Sequence, residues 1–117
     1  MCIRDRGERV LQNGFLRLHM IDASRPPQYE ANLYVGYDPK AGDFVAHWLD
    51  RYGAAGARVV ATGRRDGDVL VLVFPYAQGS FRDTFTRKKK AWTLLIESQA
   101  PDGSWTTFAN YELARVR

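Results

Sequence analysis

The feature of this chain that most restricts its fold is a period-two alternation of apolar and polar residues, repeated between turn signals. Within residues 15–22, for example, Leu16, Leu18 and Met20 share one face of an extended chain. A strand with one buried face shows this period, whereas an amphipathic helix repeats its apolar residues about every 3.6 positions. We find no convincing stretch with the helical period. The pattern therefore predicts an all-β protein.

Turn signals separate the alternating segments at intervals of about ten residues. Asn13 and Gly14 tolerate positive φ and predict a tight hairpin turn, and Asp66 and Gly67 predict a second turn over residues 64–67. Eight or nine short strands result, which is typical of an antiparallel up-and-down sandwich or barrel. We prefer a closed barrel, because closure removes the adhesive edges of an apolar sheet.

Composition limits the class of protein. A chain of 117 residues with 45% hydrophobic residues suits one folded domain and argues against disorder. Its single cysteine, Cys2, cannot form an internal disulfide, which is compatible with the cytoplasm. No apolar run approaches the roughly 20 residues of a membrane-spanning helix. We therefore expect a soluble, cytoplasmic protein without a membrane span, and leave its oligomeric state open.

The net charge of +4 is spread along the chain, apart from a basic run at Arg87–Lys90 that we interpret as a solvated turn. An excess of positive charge raises nonspecific nucleic-acid binding as one hypothesis. That hypothesis needs an aromatic face bordered by basic side chains, for which Tyr34 and Phe108 are candidates. Because the basic residues fall largely in turns, we rank it last and expect no specific nucleic-acid partner.

Three short segments carry a family resemblance: Gly36–Asp38 (GYD), Ala46–Asp50 (AHWLD) and Leu113–Arg115 (LAR), the last ending an aromatic-rich strand. Over roughly residues 15–116 they resemble the bacterial domain of unknown function family 1579. The fold of that family is similar to the lipocalin and fatty-acid-binding (calycin) barrels, so the resemblance implies a lipocalin-like barrel. The family has no accepted catalytic residues, and the resemblance implies none here.

The start of the chain departs from this pattern. Residues 1–6 (MCIRDR) resemble a translated adapter sequence, and the opening strand with its Gly-x-Trp segment, expected in calycin-like barrels, is absent. We therefore expect residues 1–8 to be a non-native or disordered leader. Residues 9–117 would then form a single barrel domain, truncated at its N-terminus and open along one seam.

Parity along the predicted strands directs a set of side chains toward the barrel interior. A barrel of eight to ten strands can enclose one small ligand, and tyrosine or tryptophan could orient an amphipathic molecule there. A filled core explains the same residues equally well. Our leading hypothesis is a protein that binds a small hydrophobic or amphipathic molecule, with these ligand-lining candidates: Leu18, Met20, Leu33, Val35, Tyr37, Trp48, Asp83, Phe85, Trp92, Leu94, Trp105 and Tyr111.

Asp83 is the unusual member of that set, because it alternates with Phe81 and Phe85 and so points inward by parity. A buried carboxylate needs a partner, which would have to come from another strand. We therefore favour the alternative that a bulge reverses the alternation and leaves Asp83 in solvent.

Chemistry in the interior is the second hypothesis. It requires polar groups that converge, for example Tyr37, Asp83 and a histidine. The two histidines, His19 and His47, lie on the opposite face of their strands without a third metal ligand at suitable spacing. The sequence thus predicts no catalytic residues, no metal site and no cofactor.

Overall fold

The chain forms nine β-strands that follow one another in sequence. The computed structural model describes residues 2–89 and 91–115. Its strands are β1 (Cys2–Val10), β2 (Phe15–Asp22), β3 (Glu30–Asp38), β4 (Asp43–Asp50), β5 (Ala61–Asp66), β6 (Val69–Phe74), β7 (Phe81–Arg87), β8 (Ala91–Gln99) and β9 (Trp105–Arg115), with a short 3-10 helix at Ala54–Ala57. Within the described residues, no helix is long and apolar enough to cross a membrane.

Each strand pairs antiparallel with the next, and β1 pairs with β9 to close a barrel. The predicted all-β, antiparallel up-and-down barrel is confirmed. The closing pair is parallel, with Cys2 opposite Glu112 and Asp5 opposite Arg115, because strand direction alternates and the first and ninth strands run the same way.

The predicted open seam is not observed. Residues 1–8 were expected to be a leader outside the domain. Met1 lies outside the described residues, and residues 2–8 lie in β1, which also pairs with β2 from Ile3 opposite Asp22 to Val10 opposite Phe15. Without β1, the backbone groups along one edge of β2 and one edge of β9 would have no strand partner. A polar segment can supply such an edge through its backbone alone, so side-chain patterns gave no signal for it.

Both predicted hairpins form, with turns shifted from the predicted positions. The first turn spans residues 11–14, in which Leu11, Gln12 and Asn13 have positive φ and the Gly14 N–H donates to the Leu11 carbonyl at 3.1 Å. The second turn is only Gly67 and its successor, since β5 extends through Asp66. The first shift changes the partner of Phe15 by two residues, from position 12 to position 10. A shift by an even number of residues leaves the side chains of β2 on their predicted faces.

The apolar core fills the middle of the barrel. Its buried side chains come from the inner face of eight strands, β2 to β9: Met20, Ala31, Leu33, Ala46, Ala61, Leu72, Phe74, Phe85, Leu94, Ile96 and Leu113. Between β5 and β6 the sheet leaves no room for a side chain at Gly63. A Cβ atom there would lie 1.9 Å from the Val71 carbonyl oxygen, so the close approach depends on glycine.

The strand connections differ between the two ends of the barrel. One end, the hairpin end, carries the short turns 11–14, 39–42 and 67–68 and the β7–β8 connection. The other, the loop end, carries the longer segments 23–29, 51–60, 75–80 and 100–104. Asp22 anchors the first of these loops: its carboxylate accepts hydrogen bonds from the Ser24 hydroxyl and from the N–H groups of Gln28 (2.8 Å) and Tyr29 (3.2 Å). The Ser24 hydrogen bond is the main cause that lowers the pKa of Asp22.

Candidate functional site

The barrel interior is divided into two cavities, one at each end, with packed side chains between them. Along the inner face of β8, Trp92 lines the hairpin-end cavity, Leu94 is fully buried, and Ile96 lines the loop-end cavity. The inner face of β6 shows the same order, and the two cavities share no lining residue. The two interpretations left open by the sequence, a cavity and a filled core, thus apply to different levels of one barrel.

The hairpin-end cavity has a volume of about 420 Å³ and a wall that is largely apolar. Exposed Arg87, Lys88 and Lys89 also line it. The ion pairs found among the described side chains involve none of these three residues. The complete lining is Gly7, Leu16, Leu18, Leu33, Val35, Leu70, Phe85, Arg87, Lys88, Lys89, Ala91, Trp92 and Leu113.

The loop-end cavity, about 480 Å³ in volume, is lined by aromatic rings and by two carboxyl groups, those of Asp50 and Asp83. Neighbouring rings from four strands and three loops contact one another. Their centroid separations are 6.3 Å for Trp48–Phe74, 5.8 Å for Phe74–Tyr76, 5.7 Å for Tyr76–Phe81, 5.2 Å for Phe81–Phe108 and 5.9 Å for Tyr29–Tyr52.

Asp50 holds one side of this aromatic wall in place. Its carboxylate accepts hydrogen bonds from the Tyr29 hydroxyl (2.8 Å), the Trp48 indole N–H (3.3 Å) and the Tyr52 backbone N–H (3.0 Å). The indole also donates to the Tyr29 hydroxyl at 3.0 Å. Burial, followed by the hydrogen bond to Asp50, raises the pKa of Tyr29, so its hydroxyl remains a donor at neutral pH.

Asp83 points into the barrel, and the favoured prediction that a bulge leaves it in solvent is wrong. The residue is 3% exposed and lies opposite Leu72 on β6 and Ile96 on β8. Among the described residues we find no hydrogen-bond partner or ion-pair partner for its carboxyl group. Burial raises the pKa of Asp83 to about 7. The barrel accommodates the group without a partner by favouring its neutral form.

The predicted lining residues divide among five places, of which the outer face holds only Trp105. Leu18, Leu33, Val35, Phe85 and Trp92 line the hairpin-end cavity, whereas Trp48 and Asp83 line the loop-end cavity. Met20 and Leu94 are buried in the core and line neither cavity, and Tyr111 packs against that core. Tyr37 is 56% exposed and contacts Phe44, with ring centroids 4.9 Å apart.

Trp105 is the one predicted lining residue that lies on the outer face. A β-bulge between β8 and β9 places Ile96 opposite Ala109 but Glu97 opposite Thr107, so one residue of β9 is extra and parity reverses beyond it. The guanidinium of Arg82 lies 4.3 Å from the Trp105 ring centroid, and its Nε donates to Glu97 at 3.0 Å. The bulge that we expected at Asp83 is instead in β9.

The same bulge explains a lining residue that the sequence did not predict. Phe108 is the extra residue of β9, and its ring reaches the loop-end cavity. Tyr52 and Tyr76 were missed because they lie in loops, where strand parity has no meaning. Leu16 and Leu70 lie on the apolar face of their predicted strands, so the pattern did contain a signal for them.

The side chains required by the enzymatic hypothesis do not converge. Tyr37 lies at the hairpin end and Asp83 in the loop-end cavity. Both histidines are on the outer face: His19 Nε2 lies 2.6 Å from a carboxylate oxygen at the start of β3, and His47 Nε2 donates to a carbonyl of the 3-10 helix at 2.7 Å. Among the described residues, no cluster of three or more potential metal ligands occurs.

Comparison with known proteins finds no match: no family model, no curated protein and no solved structure resembles this chain closely enough to be significant. The resemblance to the domain of unknown function family 1579 therefore stays a prediction. The two cavities are the structural features that bear on function.

Proposed function

We propose that this protein binds a small amphipathic anion in the hairpin-end cavity. The apolar part of the ligand would occupy the space bordered by Leu18, Val35 and Trp92, with its acidic head at the basic run that begins at Arg87. The observation that carries the proposal is this juxtaposition of an apolar wall with positive charges that form no ion pair with the described side chains.

Burial of the apolar part would supply most of the affinity. Each methylene removed from water contributes about 0.8 kcal/mol, so eight methylenes would contribute about 6 kcal/mol before the cost of association. The cavity volume of about 420 Å³ lies within the range of about 300 to 1,000 Å³ typical of small-molecule sites.

The basic groups would select the sign of the head group. Because Arg87, Lys88 and Lys89 are exposed, each contact with an acidic head contributes at most about 1 kcal/mol and weakens as salt is added. They therefore govern orientation and discrimination more than total affinity. A carboxylate, sulfate or phosphate head would each satisfy them.

Calorimetric titration with two matched probes tests the proposal. Dodecanoate and 1-dodecanol have apolar chains of the same length, and only dodecanoate carries a charged head. We expect micromolar binding of dodecanoate, with a shift of the Trp92 indole resonance in NMR spectra, and weaker binding of the alcohol. Equal affinity for both probes would remove the role assigned to the basic run.

Two variants place the ligand within the barrel. Val35→Phe should fill part of the cavity and reduce dodecanoate affinity at least about tenfold, since added volume excludes the chain. Replacement of Arg87, Lys88 and Lys89 by glutamine should reduce affinity about fivefold to thirtyfold, and flatten its dependence on salt. The matched control replaces three exposed basic residues outside the lining, Lys40, Arg58 and Arg64, by glutamine, and should leave binding unchanged.

A further inference from the structure

The loop-end cavity has a different chemistry from the hairpin-end cavity and suits a ligand of the opposite charge. Seven of its sixteen lining residues are aromatic: Tyr29, Trp48, Tyr52, Phe74, Tyr76 and Phe81, with Phe108 at the exposed rim. The π face of an aromatic ring attracts a cation, most strongly where water is excluded. Several rings around one space are the arrangement by which proteins recognise quaternary and methylated ammonium groups.

The charged groups of the cavity are both acidic. No lysine, arginine or histidine is found among the described residues that line it. Asp50 is already occupied by three hydrogen-bond donors and positions Tyr29 and Trp48. Asp83 has no described partner and is 3% exposed, so its ionised form lacks a counterion within the described part of the protein.

We infer that the loop-end cavity binds a small organic cation, an amine or quaternary ammonium with an apolar body, whose positive group pairs with Asp83 among the aromatic rings. A buried carboxylate is costly when unpaired, and a cation placed beside it removes that cost. The cavity volume of about 480 Å³ accommodates a ligand of this size. A metal ion fits less well, because it requires several oxygen or nitrogen ligands directed at one point, and no such cluster exists among the described residues.

Binding of the cation should depend on pH. The titratable groups that surround Asp83 in this cavity are Tyr29, Tyr76 and Asp50, with Tyr52 at the rim and Tyr111 on β9 nearby. Burial raises the pKa of Tyr29, Tyr76 and Tyr111, so these phenols stay neutral in the physiological range. Asp83, with a pKa of about 7, is mostly neutral at pH 6 and mostly ionised at pH 8.

Since the cation pairs with the ionised form, its affinity should rise about tenfold between pH 6 and pH 8.

The decisive experiment compares benzyltrimethylammonium with neopentylbenzene, its uncharged isostere, in which carbon replaces nitrogen. Titrations of the full chain, followed by NMR and calorimetry, should show saturable binding of the cation with shifts of Trp48 and Tyr76 resonances. The isostere should bind at least about tenfold more weakly. Equal affinity of the two probes, or no detectable binding of the cation at millimolar concentration, would overturn the inference.

Two variants and one control test the contributions of the Asp83 charge and of the aromatic rings to binding of the cation. Asp83→Asn should reduce affinity for the cation at pH 8 at least about tenfold and abolish the pH dependence. The control Asp68→Asn alters an exposed carboxylate outside the lining and should change neither. Phe108→Ala removes one ring at the exposed rim, where it does not threaten folding, and should reduce affinity about threefold.

If Asp83→Asn fails to fold, the wild-type pH profile together with Phe108→Ala decides the question. Unchanged affinity in Phe108→Ala combined with a flat pH profile would contradict a cation held in this cavity. Resonance shifts confined to Trp92 would assign the probe to the hairpin-end cavity and would also overturn the inference.

Discussion

Replacement of Asp83 by asparagine should change how the stability of the folded protein depends on pH. The carboxyl group has an ordinary pKa of 3.8 in the unfolded chain, and burial raises it to about 7 in the folded protein. Between these two values the folded state holds a proton that the unfolded state has released. The free energy of unfolding therefore falls as pH rises from about 4 to about 7, and is level above that.

The size of the effect follows from the difference between the two pKa values. A difference of about three pKa units corresponds to about 4 kcal/mol, of which about 3 kcal/mol is lost between pH 5 and pH 8. Asparagine has nearly the same shape and does not ionise, so the variant should lack this component. We expect Asp83→Asn to have roughly the wild-type stability at pH 5 and to be more stable than wild type, by up to about 3 kcal/mol, at pH 8.

Urea unfolding monitored by tryptophan fluorescence, at intervals between pH 5 and pH 8, measures the difference. Subtraction of the two stability curves cancels the contributions of all titratable groups common to both proteins. Stability curves of wild type and variant that run parallel over this range would refute the reasoning. They would mean that the Asp83 carboxyl group is solvated, or paired, in the folded protein.

Three further predictions test the core, the sheet and the corrected face of β9. Leu94→Ala should lower the free energy of unfolding by about 2 to 5 kcal/mol in urea titrations, whereas Leu11→Ala, at a position 72% exposed, should change it by less than about 0.5 kcal/mol. Gly63→Ala should cost at least about 3 kcal/mol or prevent folding, because its Cβ meets the backbone of β6, and Gly56→Ala, which meets no atom within 4 Å, should remain close to wild type in thermal unfolding. Trp105→Ala should alter dodecanoate affinity less than twofold by calorimetry, since the Trp105 ring lies outside the barrel. A large loss of affinity would show that this ring lies inside the barrel instead.

The strand pattern could be predicted because side-chain alternation records which face of a sheet is buried. In β2, the inward positions of Leu18 and Met20 followed from the sequence, and an even shift of the preceding turn preserved them. Parity failed for Trp105, because an extra residue in β9 reverses every position beyond it and leaves no mark in the apolar pattern. The pairing of β1 with β9 could not be predicted from the side-chain pattern either, since it depends on backbone groups.

The candidate sites were only half predictable. The hairpin-end cavity is built mostly from strand residues, such as Leu33 and Phe85, and the alternation identifies them. Much of the loop-end cavity comes from loops and from the bulge, so Tyr76 and Phe108 could be placed only with the fold in hand. The prediction that Asp83 lies in solvent depended on the assumption that a buried carboxyl group is charged and therefore paired. A buried acid can instead remain neutral.

The pairing of the first strand with the last affects the order in which the barrel assembles. Eight of its nine pairings join strands adjacent in the chain, so each needs only a short segment to close, whereas the seam between β1 and β9 brings together residues as distant as Cys2 and Glu112. Closing so long a segment costs more chain entropy than closing a hairpin. Pairing of β1 with β9 becomes favourable only after the intervening hairpins have formed and brought the two strands together. We expect the β1–β9 pair to form last during folding and to open first by local unfolding. Its amide hydrogens should therefore exchange faster than those of any other strand pair in the barrel.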